Sequence, residues 1–259
     1  MQRLRDHLTV TSLARYLAWR GLKSSSPLPV ELKSGERIVL RPPPATDLET
    51  AFEVFVLRIY DPVLGAVSRP ARIVDVGANV GYTCVHWGHA FAGARITAFE
   101  PHPRHVLALK QNLELNHLER NVEVLEAAAG IAAGRAAFLD AENESGLVAS
   151  GRPASSERVA AAGAPGELDV KVVDFFGAVG DAPLDVLKMD IEGGEYPILA
   201  DPRFATLRVR VIALEWHVTP AQPDGKRWCE ERLRGLGYAV SEGKGGTRTN
   251  GMLFGVRPS

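Results

Sequence analysis

The 259-residue sequence predicts an α/β fold, a mostly parallel sheet with helices on both faces, and three observations predict it. Short runs rich in Val, Ile and Leu recur at Arg72–Val76, Arg95–Phe99, Leu184–Ile191 and Arg210–Trp216, the composition of parallel strands buried on both faces. Helical stretches fall between these runs, so strands and helices alternate. The stretch Arg72–Pro101 holds one complete unit: a strand, the small-residue turn Gly77-Ala78-Asn79-Val80-Gly81, a helix over Tyr82–Phe91, a second strand, and Glu100-Pro101 at its tip. That order is the grammar of a nucleotide-binding βαβ unit.

Taken in order, Met1–Leu22 carries Leu4, Leu8, Leu13, Leu17 and Trp19 between charged residues, an amphipathic helix broken near Thr9–Thr11. It can cover the domain, pair two chains into a homodimer, or lie on a membrane surface, and its thin basic face disfavours the last. Lys23–Pro29 is a linker. Val30–Leu40 is a hairpin turning at Ser34-Gly35 and closed by Pro42-Pro43-Pro44. Residues 1–46 thus read as an N-terminal extension and 47–259 as the main domain. Asp47 is expected to cap a helix running to Ile59. Pro103–Asn116 is a helix with Val106, Leu109 and Leu113 on one face. Val122–Ala129 is a third parallel strand and Ala132–Leu139 a short extra one. Residues 141–166 read as a long loop over a substrate, or an insertion without structure. Leu168–Phe176 is a strand and turn, and Leu184–Ile191 the fourth parallel strand. Glu192 opens a helix to Leu199. Arg210–Trp216 is the fifth strand, with His217 at its tip. A helix over Gly225–Leu236 then precedes Tyr238–Ser241 and Met252–Val256, an antiparallel pair across Gly243–Gly251.

The first turn narrows the ligand. A dinucleotide cradle uses three glycines, G-x-G-x-x-G, against a pyrophosphate. Here the pattern over Asp75–Gly81 is D-x-G-x-N-x-G, with the third glycine missing and an acid inside the strand. That suits a cofactor with a cationic amino-acid end and no phosphate, the chemistry of S-adenosylmethionine. Glu100 is placed to hold two ribose hydroxyls. A second constellation stands at the next strand tips. Lys188-Met189-Asp190-Ile191-Glu192-Gly193-Gly194-Glu195 and Glu215-Trp216-His217 set acids and an imidazole at the edge where open α/β sheets bind ligands. Alone, Asp190 and Glu192 read equally well as helix-capping acids, and His217 as a surface histidine. At one edge together they read as a site.

VDVGANVGYT, AFEPHP, LKMDIEGGEYPIL and ALEWH, four motifs in one order within roughly Asp47 to Val256, resemble the FkbM family of S-adenosylmethionine-dependent methyltransferases. The resemblance implies the Rossmann-like methyltransferase fold, a seven-stranded mostly parallel sheet of order 3-2-1-4-5-7-6 with strand 7 antiparallel. It implies methyl transfer to a hydroxyl of a sugar or other natural product, leaving S-adenosylhomocysteine. On this pattern Asp75, Gly77, Ala78, Asn79, Gly81 and Tyr82 surround the methionine end, and Glu100 holds the ribose. Pro101 and His102 lie beside the adenosine and Ala128 near the adenine. Asp190 lies below the methionine amino group and near the transferred methyl, while Glu192, Glu215 and His217 face the acceptor. Gly193-Gly194 departs from the family's commoner glycine–alanine. His86 and His89 read as structural.

An alcohol is a poor nucleophile and needs a base at its proton. His217 is expected to be that base, with Glu215 or Asp190 orienting the ring. A divalent ion on Asp190, Glu192 and Glu215 is the alternative; Trp216 stands where a second acid of such a site would, so metal is expected not to be required. N-methylation and a non-catalytic cofactor-binding module are the remaining readings, and the module would need neither the strand-tip acids nor His217. Nucleic-acid acceptors are disfavoured: net charge is −1, pI is about 6.7, and no Asn/Asp-Pro-Pro-aromatic motif occurs. Cys84 and Cys229 form neither a disulfide framework nor a zinc pattern. With no apolar run of spanning length and no leader-like segment, a cytoplasmic protein is expected. Acceptor recognition is expected from the N-terminal segment and the 141–166, 218–226 and 243–251 loops.

Overall fold

The computed structural model describes residues 3–139 and 167–258; the expected 141–166 loop lies outside them. The chain opens with a 3-10 turn, Leu4–His7, and helix α1, Val10–Gly21. Thr9 separates them, its Oγ1 accepting the Ser12 amide as an N-cap does. Leu4, Leu8 and Trp19 are buried, whereas Leu17 of the expected apolar face is 52% exposed. Strands β1 (Leu28–Glu31) and β2 (Arg37–Leu40) form the hairpin.

Asp47 does not cap. It starts α2, Asp47–Ala51, and its buried carboxylate accepts the Arg41 amide at 2.8 Å and pairs with the Arg41 guanidinium at 2.7 Å. The helix continues as a π-helical turn, Phe52–Leu57, and stops at Arg58 in the left-handed region (φ 54°). Inserted π turns often mark functional sites. Helix α3 spans Asp61–Ala66.

The sheet begins with β3 (Arg72–Val76), α4 (Tyr82–Ala90), β4 (Arg95–Phe99), α5 (Pro103–Leu115) and β5 (Val122–Leu125). The expected third strand is cut short. β5 leaves the main sheet at Leu125, and the small residues after it form β6 (Ala128–Gly130) of a separate sheet with β7 (Gly134–Leu139) and β8 (Glu167–Asp174). Helix α6 (Phe175–Val179), β9 (Leu184–Met189), α7 (Glu195–Ala200), β10 (Val209–His217), α8 (Gly225–Gly235), β11 (Ala239–Glu242) and β12 (Asn250–Val256) follow.

The main sheet runs β5-β4-β3-β9-β10-β12-β11, with β12 antiparallel to both neighbours. This is the expected order 3-2-1-4-5-7-6. Residues alternate between two cores because a strand's side chains alternate between its faces. Ile73, Val186, Val211 and Ala213 pack with Trp87, Leu109 and the N-terminal hairpin. Val74, Val76, Leu187, Ile212, Leu214 and Trp216 pack with Phe175, Ile198 and Leu233. Each large apolar side chain so buried contributes roughly 1.5–3 kcal/mol of transfer free energy.

The hairpin is tied to the sheet by polar contacts as well. Asn112 of α5 is fully buried, accepts the Val39 amide at 2.8 Å and donates to the Val80 carbonyl at 2.7 Å. The Tyr82 hydroxyl donates to the Val39 carbonyl at 2.7 Å. His86 lies between Glu36 and Asp61, the structural use expected of it, and His89 meets Asn116. Cys84 and Cys229 are free and buried. Among the described residues no helix is long and apolar enough to cross a membrane.

Candidate active site

One cavity of about 290 Å³ lies along the carboxyl ends of β3, β4, β9 and β10. Its cofactor-like end is built on the β3 turn. Gly77 has φ +84°, and a Cβ there would stand 1.8 Å from the Asp190 carbonyl oxygen; only glycine lets the turn meet the β9 tip this closely. Gly81 does a different job from the one expected. It does not line the cavity but brings α4 against Leu109, 2.9 Å from a Cβ placed at Gly81. Ala78, Asn79 and Tyr82 line the wall.

Glu100 is fixed at both oxygens. The Asn79 amide donates to Oε2 at 2.8 Å and the His102 amide to Oε1 at 2.9 Å. A carboxylate has about four lone-pair sites, so each oxygen can still accept a ribose hydroxyl. Beyond it Phe99, Pro101, Ala127, Ala128 and Phe138 supply an apolar wall. His102 is buried and does not line the cavity: its Nδ1 caps α5 by accepting the Arg104 amide, and its ring stacks on His105, which does line it.

Asp75, expected at the methionine end, is fully buried and also off the cavity wall. The alternation of β3 turns it towards Lys188, its register partner on β9, with Nζ 3.0 Å from Oδ1. Lys188 Nζ also donates to the Gly77 carbonyl at 2.7 Å and lies 3.7 Å from Asp190 Oδ2. Burial opposes its charge most strongly, but Asp75, Tyr60 and Asp190 together outweigh burial and hold the ammonium well above the usual lysine range. Lys188 is therefore a permanent cation joining the β3 turn to the β9 tip, and not a base. Arg41, the other Lys or Arg on the wall among the described residues, is held by Asp47.

The acceptor-like end is acidic. Asp190, Glu192 and Glu215 line it from the sheet edge, and Glu49 and Glu53 line it from α2 and its π turn. Burial, with the charge of Asp190 next, raises the Glu53 carboxyl. Burial beside Asp190 also pushes Glu215 up, and Asn250 orients it by donating to Oε1 at 2.9 Å. Neither Asp190 nor Glu192 caps α7, whose N-cap is Gly194 with no side-chain bond.

His217 sits behind this wall, 8% exposed. Its orienting group is neither Glu215 nor Asp190, as expected, but Glu195, with Oε1 3.2 Å from Nδ1. Nε2 points towards Glu192 Oε2 at 3.3 Å and Glu215 Oε1 at 3.9 Å. Burial works against a charged imidazole here; the Glu195 contact and the charges of Asp190 and Glu192 overcome it and raise His217 to about 9.

Sequence reasoning therefore brings Gly77, Ala78, Asn79, Tyr82, Glu100, Pro101, Ala128, Asp190, Glu192 and Glu215 to one cavity, and leaves Asp75, Gly81, His102 and His217 behind its walls. It missed Lys188, whose signal was a lone cation inside an otherwise apolar strand, a residue that must find a buried anion. It missed Glu195 and the α2 wall, for which no spacing offered a signal.

A family model described as the methyltransferase FkbM domain matches residues 75–240. Methyltransferase sdnD of Sordaria araneosa is 26% identical over 209 residues, spanning 70% of this chain and 79% of that protein. Among solved structures, PH0793 of Pyrococcus horikoshii, assigned as a transferase, superposes with a TM-score of 0.53 at 12% identity over 95% of this chain and 83% of that one. The precorrin-6y C5,15-methyltransferase of Geobacter metallireducens GS-15 gives a TM-score of 0.45 at 17% identity, covering 77% and 89%.

Proposed function

Because the chain belongs to the FkbM family of S-adenosylmethionine-dependent methyltransferases, we propose that it methylates a hydroxyl of a small molecule, a sugar moiety or other natural-product intermediate. The observation that carries this reading is a continuous cavity with a doubly anchored Glu100 at one end and Asp190 and Glu215 at the other. The residues present suit the cofactor. Glu100 offers acceptors for ribose, Phe99 and Phe138 offer apolar surface for adenine, and Asp190 offers an anion for the amino-acid end. Among the described residues the Lys and the Arg on the wall are both already paired, so neither is spare for a phosphate. The carboxylates opposite are acceptors for the hydroxyl donors of a polyol and repel an anionic acceptor.

Bound here, S-adenosylmethionine supplies an electrophilic methyl on a sulfonium. The chain's contribution is positioning, which dominates in an in-line displacement, and proton transfer. As the acceptor oxygen bonds to the methyl carbon and the carbon–sulfur bond breaks, the hydroxyl proton needs a sink. Glu215 lines the wall with His217 behind it, and both are raised to about 9, so the two serve as one proton-accepting pair only once the pair has lost a proton, and turnover should rise towards alkaline pH. This refines the expectation of His217 alone.

The test is equilibrium binding of S-adenosylhomocysteine, then a mass-shift screen of hydroxylated acceptors with S-adenosylmethionine. Binding at one site per chain and gain of one methyl on oxygen are expected. No binding of S-adenosylhomocysteine, or methylation confined to amines, would overturn the proposal.

A further inference from the structure

We propose that Asp190, Glu192 and His217 form a binding site for a divalent cation at the acceptor end of the cavity, an inference that rests on reading this cavity as the methyl-transfer site. One oxygen of each carboxylate and one ring nitrogen lie within 4.8 Å of one another, and His217 Nε2 is 3.3 Å from Glu192 Oε2. Neighbouring ligands of one ion, each at about 2.0–2.2 Å from it, stand roughly 3–3.5 Å apart. Glu192 and His217 already stand at that spacing, and Asp190, whose side chain is partly exposed, is the donor that must turn inward to complete the set.

The far side of the imidazole separates this cluster from a patch of surface acids. His217 Nδ1 faces Oε1 of Glu195, whose side chain is completely buried, and Glu195 Oε2 accepts the Gly193 amide at 2.8 Å. A histidine bearing a carboxylate on one nitrogen presents the other as a metal ligand with its orientation already fixed. The backbone around the donors is held too. The Asp190 amide donates to the Val76 carbonyl at 3.0 Å, and the His217 carbonyl accepts the Tyr196 hydroxyl. Two carboxylates and one imidazole suit Mg²⁺, Mn²⁺ or Zn²⁺.

The donor set differs from the one the sequence offered, because His217 replaces Glu215. Glu215 stays on the wall, held by Asn250. A cation on the other three would orient the acceptor oxygen and acidify its hydroxyl.

The experiment uses the purified full-length chain, dialysed against chelator, titrated with Mn²⁺ and followed by the electron paramagnetic resonance of the free ion. Each protein is also titrated with S-adenosylhomocysteine. One Mn²⁺ per chain is expected, displaced by excess Mg²⁺ or Zn²⁺. His217→Ala should weaken Mn²⁺ binding at least tenfold. Glu195→Gln, which touches no ion, should weaken it roughly 10- to 100-fold through the ring it holds. Both variants should keep their affinity for S-adenosylhomocysteine, which also reports that they fold. Wild-type protein that binds S-adenosylhomocysteine but not Mn²⁺ overturns the cation site and leaves the methyl-transfer reading standing, as does Mn²⁺ binding indifferent to both substitutions. Failure to bind S-adenosylhomocysteine overturns the underlying reading instead.

Discussion

Replacing Lys188 with Met tests the joint between the two halves of the cavity. The substitution keeps length and apolar volume but removes the cation 3.0 Å from a fully buried Asp75. Breaking one side of a buried pair costs about 3–5 kcal/mol, because the remaining charge has lost its compensation. A second route gives a similar figure. An aspartate that escapes by taking up a proton at pH 7, against an ordinary value near 3.9, costs about 4 kcal/mol at 1.36 kcal/mol per unit. The Cys84 thiol at 3.3 Å is too weak a donor to replace an ammonium. Urea unfolding of the wild type, Lys188→Met and the double variant Asp75→Asn/Lys188→Met measures the cost. The single variant should lose about 3–4 kcal/mol and the double variant should recover much of it. A loss below about 1 kcal/mol, or a double variant no more stable than the single one, would refute the reasoning.

Gly77→Ala should abolish S-adenosylhomocysteine binding and destabilise the fold by more than the 1–2 kcal/mol that a left-handed alanine costs, because its Cβ would stand 1.8 Å from the Asp190 carbonyl; calorimetric titration and a melting curve check both parts. Glu100→Gln should weaken S-adenosylhomocysteine roughly 10- to 100-fold, as expected for losing charge-assisted hydrogen bonds of about 1.5–3 kcal/mol, with little change in melting temperature. In chelator, stability should fall as pH rises from about 6.5 to 9. His217 and Glu215 are both raised in the folded state to about 9, so each contribution is complete below its ordinary value and is lost as pH rises through the folded value, with a slope of at most about 1.4 kcal/mol per unit for each group. Thermal melts across that range should show the slope flattened in Glu195→Gln.

Much of this architecture was legible because it rests on local patterns. Alternation along Val209–His217 puts Glu215 and His217 on one face of β10, and that face can be counted off the chain. The turn at Gly77 and the acid at Glu100 are likewise short-range devices. What escaped depends on which strand lies beside which. Asp75 reads as a ligand acid until β9 is laid next to β3 and brings Lys188 into register. Glu195 reads as an ordinary first-turn acid until folding carries His217 to it. The end of β5 was misjudged for a related reason: residues 122–129 stay strand-like throughout, and only the pairing of Ala128–Gly130 with β8 shows that they divide between two sheets.

The wall formed by Arg41, Glu49, Glu53 and Tyr60 divides the acceptor end between two parts of the chain. All four precede residue 75, where the family match begins, whereas Glu100, Asp190, Glu192 and Glu215 fall inside it. Substitutions at Glu49 or Glu53 therefore reach the acceptor end without touching Gly77 or Glu100, and should change the choice of acceptor while S-adenosylhomocysteine affinity stays constant.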